Sequence, residues 1–243
     1  MRLPIFKLFL GSLILVVERR SILFRSIWGP TLIGIALSTY QHLSLIHGSR
    51  DSTNAAIAIL IFMLTIILAV RSYGVFLGER DTKDSFLISW TMRESRFLVI
   101  MILVSFSFGI LTLFVGLMVG NVILDSQISS GPLFVFLLLV PGAYLASRVL
   151  LVFPLVSVRE VTIPDAIKTA WALSGNNVMA ILMLCVGIPA GLALCFALMG
   201  NVDGLGLLSV ILPWVTMPIE FAIIALVFSQ LEKFYEKDKI EKG

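Results

Sequence analysis

Six apolar runs, each about as long as a bilayer's hydrocarbon core is thick, constrain this chain more than anything else in it. They are Ile27–Leu45, Ala55–Val70, Phe97–Val119, Leu133–Leu151, Val178–Met199 and Leu205–Phe228. About 20 apolar residues cross a bilayer as an α-helix. Hydrocarbon offers the backbone no hydrogen-bond partner, so each run must satisfy its own N–H and C=O groups. The composition agrees, at 58% hydrophobic and 14% charged residues, against about 45–50% and about 25% in soluble domains. No polar stretch is long enough to build a soluble domain. Residues 1–243 therefore read as a single integral membrane domain, an all-α polytopic bundle of six spans.

The cations set the expected orientation. Arg2, Lys7, Arg19, Arg20 and Arg25 precede the first run, and Arg71, Arg80, Lys83, Arg93 and Arg96 lie between the second and third. Arg148, Arg159 and Lys168 lie between the fourth and fifth, and Lys233, Lys237, Lys239 and Lys242 close the chain. Only Arg50 falls on the other side. The positive-inside rule then puts both termini in the cytoplasm, and the net charge of +3 is a topology signal with no bearing on nucleic acid. The N-terminal apolar stretch Ile5–Val17 is too short to span, and ERR follows it where a cleavage site would need small residues. It reads as a helix in the cytoplasmic interface, anchored by Lys7, Arg19, Arg20 and Arg25.

Two regions of the chain align with each other. AVRSYGVF at Ala69–Phe76 matches ASRVLLVF at Ala146–Phe153, and DSFLISW at Asp84–Trp90 matches DAIKTAW at Asp165–Trp171. The offset from Asp84 to Asp165, about 81 residues, is a third of the chain, which suggests three parallel units, approximately 1–78, 79–158 and 159–243, each an interfacial helix followed by two spans. The alternative is that apolar sequence aligns by composition; the shared Arg, Asp and Trp argue against it. In the third unit Thr162 and Asp165 have capping-box spacing with Pro164 in the first turn. Ile163, Ala166, Ile167, Ala170 and Trp171 fall on one helical face, Asp165, Lys168 and Thr169 on the other, and Gly175-Asn176 ends the helix. Trp90 and Trp171 are the expected interfacial anchors, at equivalent depth.

The stretch from Val140 to Asn177 also carries a family resemblance. Pro141, Gly142, Tyr144, Arg148, Pro154, Pro164, Ala166, Trp171 and Asn176 form a pattern that resembles the membrane domain preceding the catalytic domain in some bacterial glycerophosphodiester phosphodiesterases, and stand-alone inner-membrane relatives of the YciC type. The close match covers about forty residues. The resemblance implies a multi-helix protein of the bacterial inner membrane. It does not imply phosphodiesterase activity, which needs a metal-binding barrel that this chain has no room for.

The sequence holds no G-x-x-x-x-G-K-[ST], H-E-x-x-H or G-x-S-x-G motif. His42 and His47 are five residues apart, poor spacing for a shared metal. Asp51, Asp125 and Asp203 come from different outer loops and read as solvated acids. Cys185 and Cys195 read as inert buried thiols. Gly116/Gly120 and Gly187/Gly191 are spaced for close helix packing, within the chain in preference to between chains. Pro141-Gly142 is expected to kink the fourth span and Pro189, Pro213 and Pro218 to distort the fifth and sixth.

The sharper signal is charge inside the apolar runs, at Arg71, Arg148 and Glu220, which is costly unless paired. Arg71, at the end of the second run, is placed to snorkel. Arg148 lies eleven residues before Arg159 and Glu220 twelve before Glu232, so if both helices continue each sits roughly 16–18 Å from the first charge beyond the span. Equal depth predicts an ion pair between Glu220 and Arg148, with Arg71 as the alternative partner. No catalytic set, cofactor or metal site is expected. The reading is a non-enzymatic protein that binds membrane lipid, or a membrane protein partner, in envelope homeostasis. The alternative is a small-solute or lipid transporter or channel subunit.

Overall fold

The computed structural model describes residues 3–46, 52–78, 90–123, 141–175, 177–200, 202 and 205–242. The expected loop residues His47, Arg50, Asp51, Asp84, Asp125, Asn176 and Asp203 lie outside them. Every regular element among the described residues is helical. Helix α1 spans Ile5–Glu18, α2 Arg20–Ile46, α3 Ser52–Leu77 and α4 Met92–Ile123. Then come α5 (residues 141–149), α6 Val152–Val158, α7 Ile163–Ser174 and α8 Val178–Ile181. A π-helical turn, Leu182–Gly187, joins α8 to α9, Ile188–Gly200, and α10 spans Gly206–Lys242. Six of these segments are long and apolar enough to cross a membrane: α2, α3, α4, α5 with α6, α8 through α9, and α10.

Arg19, Arg71 and Arg159 gather at one end of the bundle, called here the basic end. The core is densest on that side, where Leu68, Leu151, Val152, Ala222 and Val227 are fully buried. Phe153 stacks on Phe97 with ring centroids 4.9 Å apart, and Tyr73 meets Phe221 edge-on at 5.4 Å. At the other end Trp214 of α10 donates its Nε1–H to Ser38 Oγ of α2 at 3.0 Å, tying the first span to the last.

Helix α1 lies across the basic end. Just before its first turn, the Leu3 N–H donates to Asn177 Oδ1 at the start of α8. Its middle, at Gly11, rests on Leu226 of α10. Just past its last turn, Arg19 donates to the Val75 carbonyl of α3. A 14-residue helix is about 21 Å long, enough to brace three different spans. Leu8 and Ser12 are buried against the bundle, whereas Phe6, Leu10, Ile14 and Val17 form an exposed apolar stripe, the pattern of an amphipathic helix that meets lipid on its outer side.

Several local expectations change. The fourth span breaks at Leu150–Leu151, between α5 and α6; the expected kink at Pro141-Gly142 falls at the edge of the described residues. Pro154 is the cause of the break, since it has no N–H to give the Leu150 carbonyl. Gly142 instead admits the Phe108 ring, which would stand 3.2 Å from a Cβ there. The helix of the second span, α3, does not stop at Arg71 but continues to Leu77. Gly187 and Gly191 face no neighbouring helix, so their spacing serves no packing within the described residues, and Cys195 is exposed.

The start of α7 is as expected: Thr162 is its N-cap, accepting from the Asp165 N–H, with Pro164 in the first turn. Its apolar face is divided, however. Ala166 and Ala170 are fully buried against the bundle, while Ile167 and Trp171 remain exposed beside them.

Candidate functional site

A long groove opens between α5, the π turn with α9, and α10, with a volume of ≈ 730 Å³. On α10 it is lined by Ser209, Pro213, Met217 and Glu220, spaced four, four and three residues apart and therefore on one helical face. On α9 the wall is mostly small: Ala190, Ala193, Ala197 and Gly200. Ala146 and Leu150 of α5 close the third side. From Ser209 to Glu220 the groove runs about 16 Å along the helix axis.

Its shape follows from the sequence. Small side chains on α9 keep that wall low. Pro213 has no N–H to give the Ser209 carbonyl. Cys185 and Ser209 both line the groove. The π turn just before Pro189 widens the helix there; such turns recur at functional sites. Ser209 Oγ donates to the Gly206 carbonyl at 2.6 Å, so its hydroxyl turns lone pairs outward. Glu220, half-buried at one end, is the charged residue among the described lining side chains.

The expected ion pair between Glu220 and Arg148 is not formed. Arg148 Nη1 donates to the Trp171 carbonyl and to Ser174 Oγ, both at 3.2 Å, and Nη2 donates to the Tyr144 hydroxyl at 3.1 Å. Its guanidinium carbon lies 5.2 Å from the Tyr144 ring centroid and 5.0 Å from that of Trp171, within cation–π range of both. Tyr144 and Trp171 meet edge-on at 6.3 Å. Arg148, Tyr144 and Trp171 from the sequence pattern thus form one clamp, which fastens α7 to α5. Pro154 sits in α6, outside that cluster.

Arg71 is not paired with Glu220 either. It is 1% exposed, and its Nη1 donates to the Ser26 carbonyl of α2 at 3.0 Å. It does not snorkel out of the bundle. Its interactions join the second span to the start of the first. The two arginines matched by the alignment therefore have different partners.

Trp90 and Trp171, 41% and 44% exposed, both lie toward the basic end, but in different settings. Trp171 is inside α7, whereas Trp90 precedes α4 and donates its Nε1–H to Ser95 Oγ at 2.8 Å. Beside it is a capping box that the sequence reading missed. Glu94 Oε2 accepts from the Thr91 N–H at 2.9 Å and from the Thr91 hydroxyl. The signal was the Thr91-x-x-Glu94 spacing before an apolar run.

Among the described residues no group of His, Cys, Asp and Glu side chains is arranged to hold a metal ion. Comparison of the chain with family models, curated proteins and solved structures finds no match in any of the three.

Proposed function

We propose that this chain is a non-enzymatic, lipid-binding protein of the bacterial inner membrane, with both termini in the cytoplasm. The observation that carries the reading is the groove between α5, α9 and α10. At ≈ 730 Å³ it falls within the roughly 300–1,000 Å³ of small-molecule sites. It is long and mostly apolar, and it is cut into the sides of membrane-spanning helices, where an acyl chain can enter from the surrounding lipid. The gathering of arginines at the basic end supports the orientation, because positive charge favours the cytoplasmic face. The resemblance of Pro141, Gly142, Tyr144, Arg148, Pro154 and Trp171 to inner-membrane proteins of the YciC type supports the location. The matched Arg71/Arg148 and Trp90/Trp171 segments support descent from a repeated unit of one interfacial helix and two spans.

Mass spectrometry of the protein after gentle detergent extraction tests this. A lipid should be retained by the native chain and lost when Ala193→Trp fills the groove. Equal retention by both forms, or none by either, would refute the reading. A transporter is the second reading, favoured by Pro189 and Pro213 lining the same groove and the chain flexibility they permit. It requires solute or lipid flux in proteoliposomes that the same substitution abolishes.

A further inference from the structure

We propose that the groove selects lipophilic cations, amines or onium ions carried on an apolar body, with Glu220 as the counter-charge. The inference rests on the groove being a binding site and adds its chemical selectivity.

The argument is one of unmatched acceptors. Glu220 lies about 18 Å along α10 from Glu232, deep in the span. A carboxylate at such a depth is costly without a partner, and neither candidate cation within the bundle is available to it. Arg148 is turned into the α7 clamp with Trp171, Ser174 and Tyr144, and Arg71 is directed to the α2 backbone. No Lys, Arg or His occurs among the described lining residues. Apart from the weakly donating Cys185 thiol, the other polar features of the described lining accept: the Ser209 hydroxyl is spent on Gly206, and the Ser209 carbonyl faces Pro213, which has no N–H. An anionic head group entering the groove would meet one negative charge and no strong donor. A cation would gain a charge partner in a low-dielectric setting, where attraction is far stronger than in water. The low wall of Ala190, Ala193 and Ala197 leaves room for the bulky apolar body such a cation needs to enter hydrocarbon.

Equilibrium dialysis of the purified full chain in mild detergent, with two probes of the same shape and opposite charge, tests the proposal. Tetraphenylphosphonium should bind, and tetraphenylborate should bind at least about tenfold more weakly, given the cost of like charge at that depth. Glu220→Gln should remove the preference for the cation, Glu220→Asp should keep part of it, and Ala193→Trp should block both probes. If Glu220→Gln does not fold, the contrast between the two probes on the native chain and on Ala193→Trp still decides. Retained lipid with no charge preference between the probes would overturn the selectivity and leave lipid binding standing. Loss of both lipid and probe binding would sink the two readings together.

Discussion

Gly34 is the position at which the packing of the first span on the last can be tested most directly. A Cβ built there would stand 2.3, 2.4 and 2.6 Å from three carbons of the Trp214 indole, whereas carbon atoms in contact prefer about 3.5–4.0 Å. The ring must retreat by more than about 1 Å. Trp214 is only 3% exposed, and its Nε1–H is held by Ser38 one turn along from Gly34, so it cannot retreat freely. Overpacking of this kind costs about 1–3 kcal/mol, and a buried indole N–H that loses its acceptor adds about 1–3 kcal/mol. The better helix propensity of alanine returns about 1 kcal/mol. Gly34→Ala should therefore destabilise the protein by about 1–5 kcal/mol. Reversible unfolding in mixed detergent micelles, followed by tryptophan fluorescence or circular dichroism, measures it. In a Trp214→Leu background the clash is gone, and Gly34→Ala should become neutral or mildly stabilising. A neutral Gly34→Ala in the native background, or the same penalty in both, would refute the close approach of α2 and α10.

Three further outcomes are expected. Arg148→Met should loosen α7 by about 2–3 kcal/mol, since it removes charge-assisted hydrogen bonds and two cation–π contacts; faster amide hydrogen exchange across Ile163–Ser174 is the readout, with Arg148→Lys intermediate because ammonium lacks the planar fork. Arg159 Nη2 lies 2.6 Å from Glu232 Oε1, with the side chains 44% and 23% exposed, so Arg159→Glu should cost about 0.5–1 kcal/mol and Arg159→Glu with Glu232→Arg should recover most of it, as judged by thermal stability in detergent. Reporter fusions after Arg20, Lys168 and Lys239 should report cytoplasm and a fusion near Gln127 the outer side; a cytoplasmic signal at Gln127 would overturn the six-span topology.

Features that depend on composition and spacing within one element were legible in the sequence. The six spans follow from run length, and the start of α7 from Thr162, Pro164 and Asp165. The Thr91–Glu94 cap was equally legible and was passed over inside a polar stretch. Features set by tertiary neighbours were not. By composition alone Arg71 marks the end of a span, because a charge bounds an apolar run. In the fold α3 continues for six residues beyond it to Leu77, and a neighbouring helix supplies the acceptor. The division of the α7 face into buried alanines and exposed Ile167 and Trp171 depends on how far α7 sits from the bundle, which periodicity does not encode. The break at Leu150–Leu151 has a local cause that the sequence does carry: Pro154 has no N–H for the Leu150 carbonyl.

The missing pair between Arg148 and Glu220 shows what equal depth leaves undetermined. Depth advances by about 1.5 Å per residue, but direction turns by about 100°. Ala146 and Leu150 both line the groove, and Arg148 stands two residues from each, about 200° round the helix in either sense. Its side chain must leave on the opposite side, toward α7. Glu220 shares a face with Ser209, Pro213 and Met217 and therefore enters the groove. The two side chains leave their helices in different directions, Arg148 toward Trp171 and Ser174 of α7 and Glu220 into the groove. A double-mutant cycle separates this arrangement from pairing. Glu220→Arg puts a cation into the groove without its counter-charge, and Arg148→Glu undoes the clamp on Trp171 and Ser174. With no shared partner, the two penalties should add within about 0.3–0.5 kcal/mol. Charge-swap rescue, seen as a coupling well above about 1 kcal/mol in micelle unfolding, would mean that the carboxylate and guanidinium do meet, and that the acceptor-lined groove is wrong.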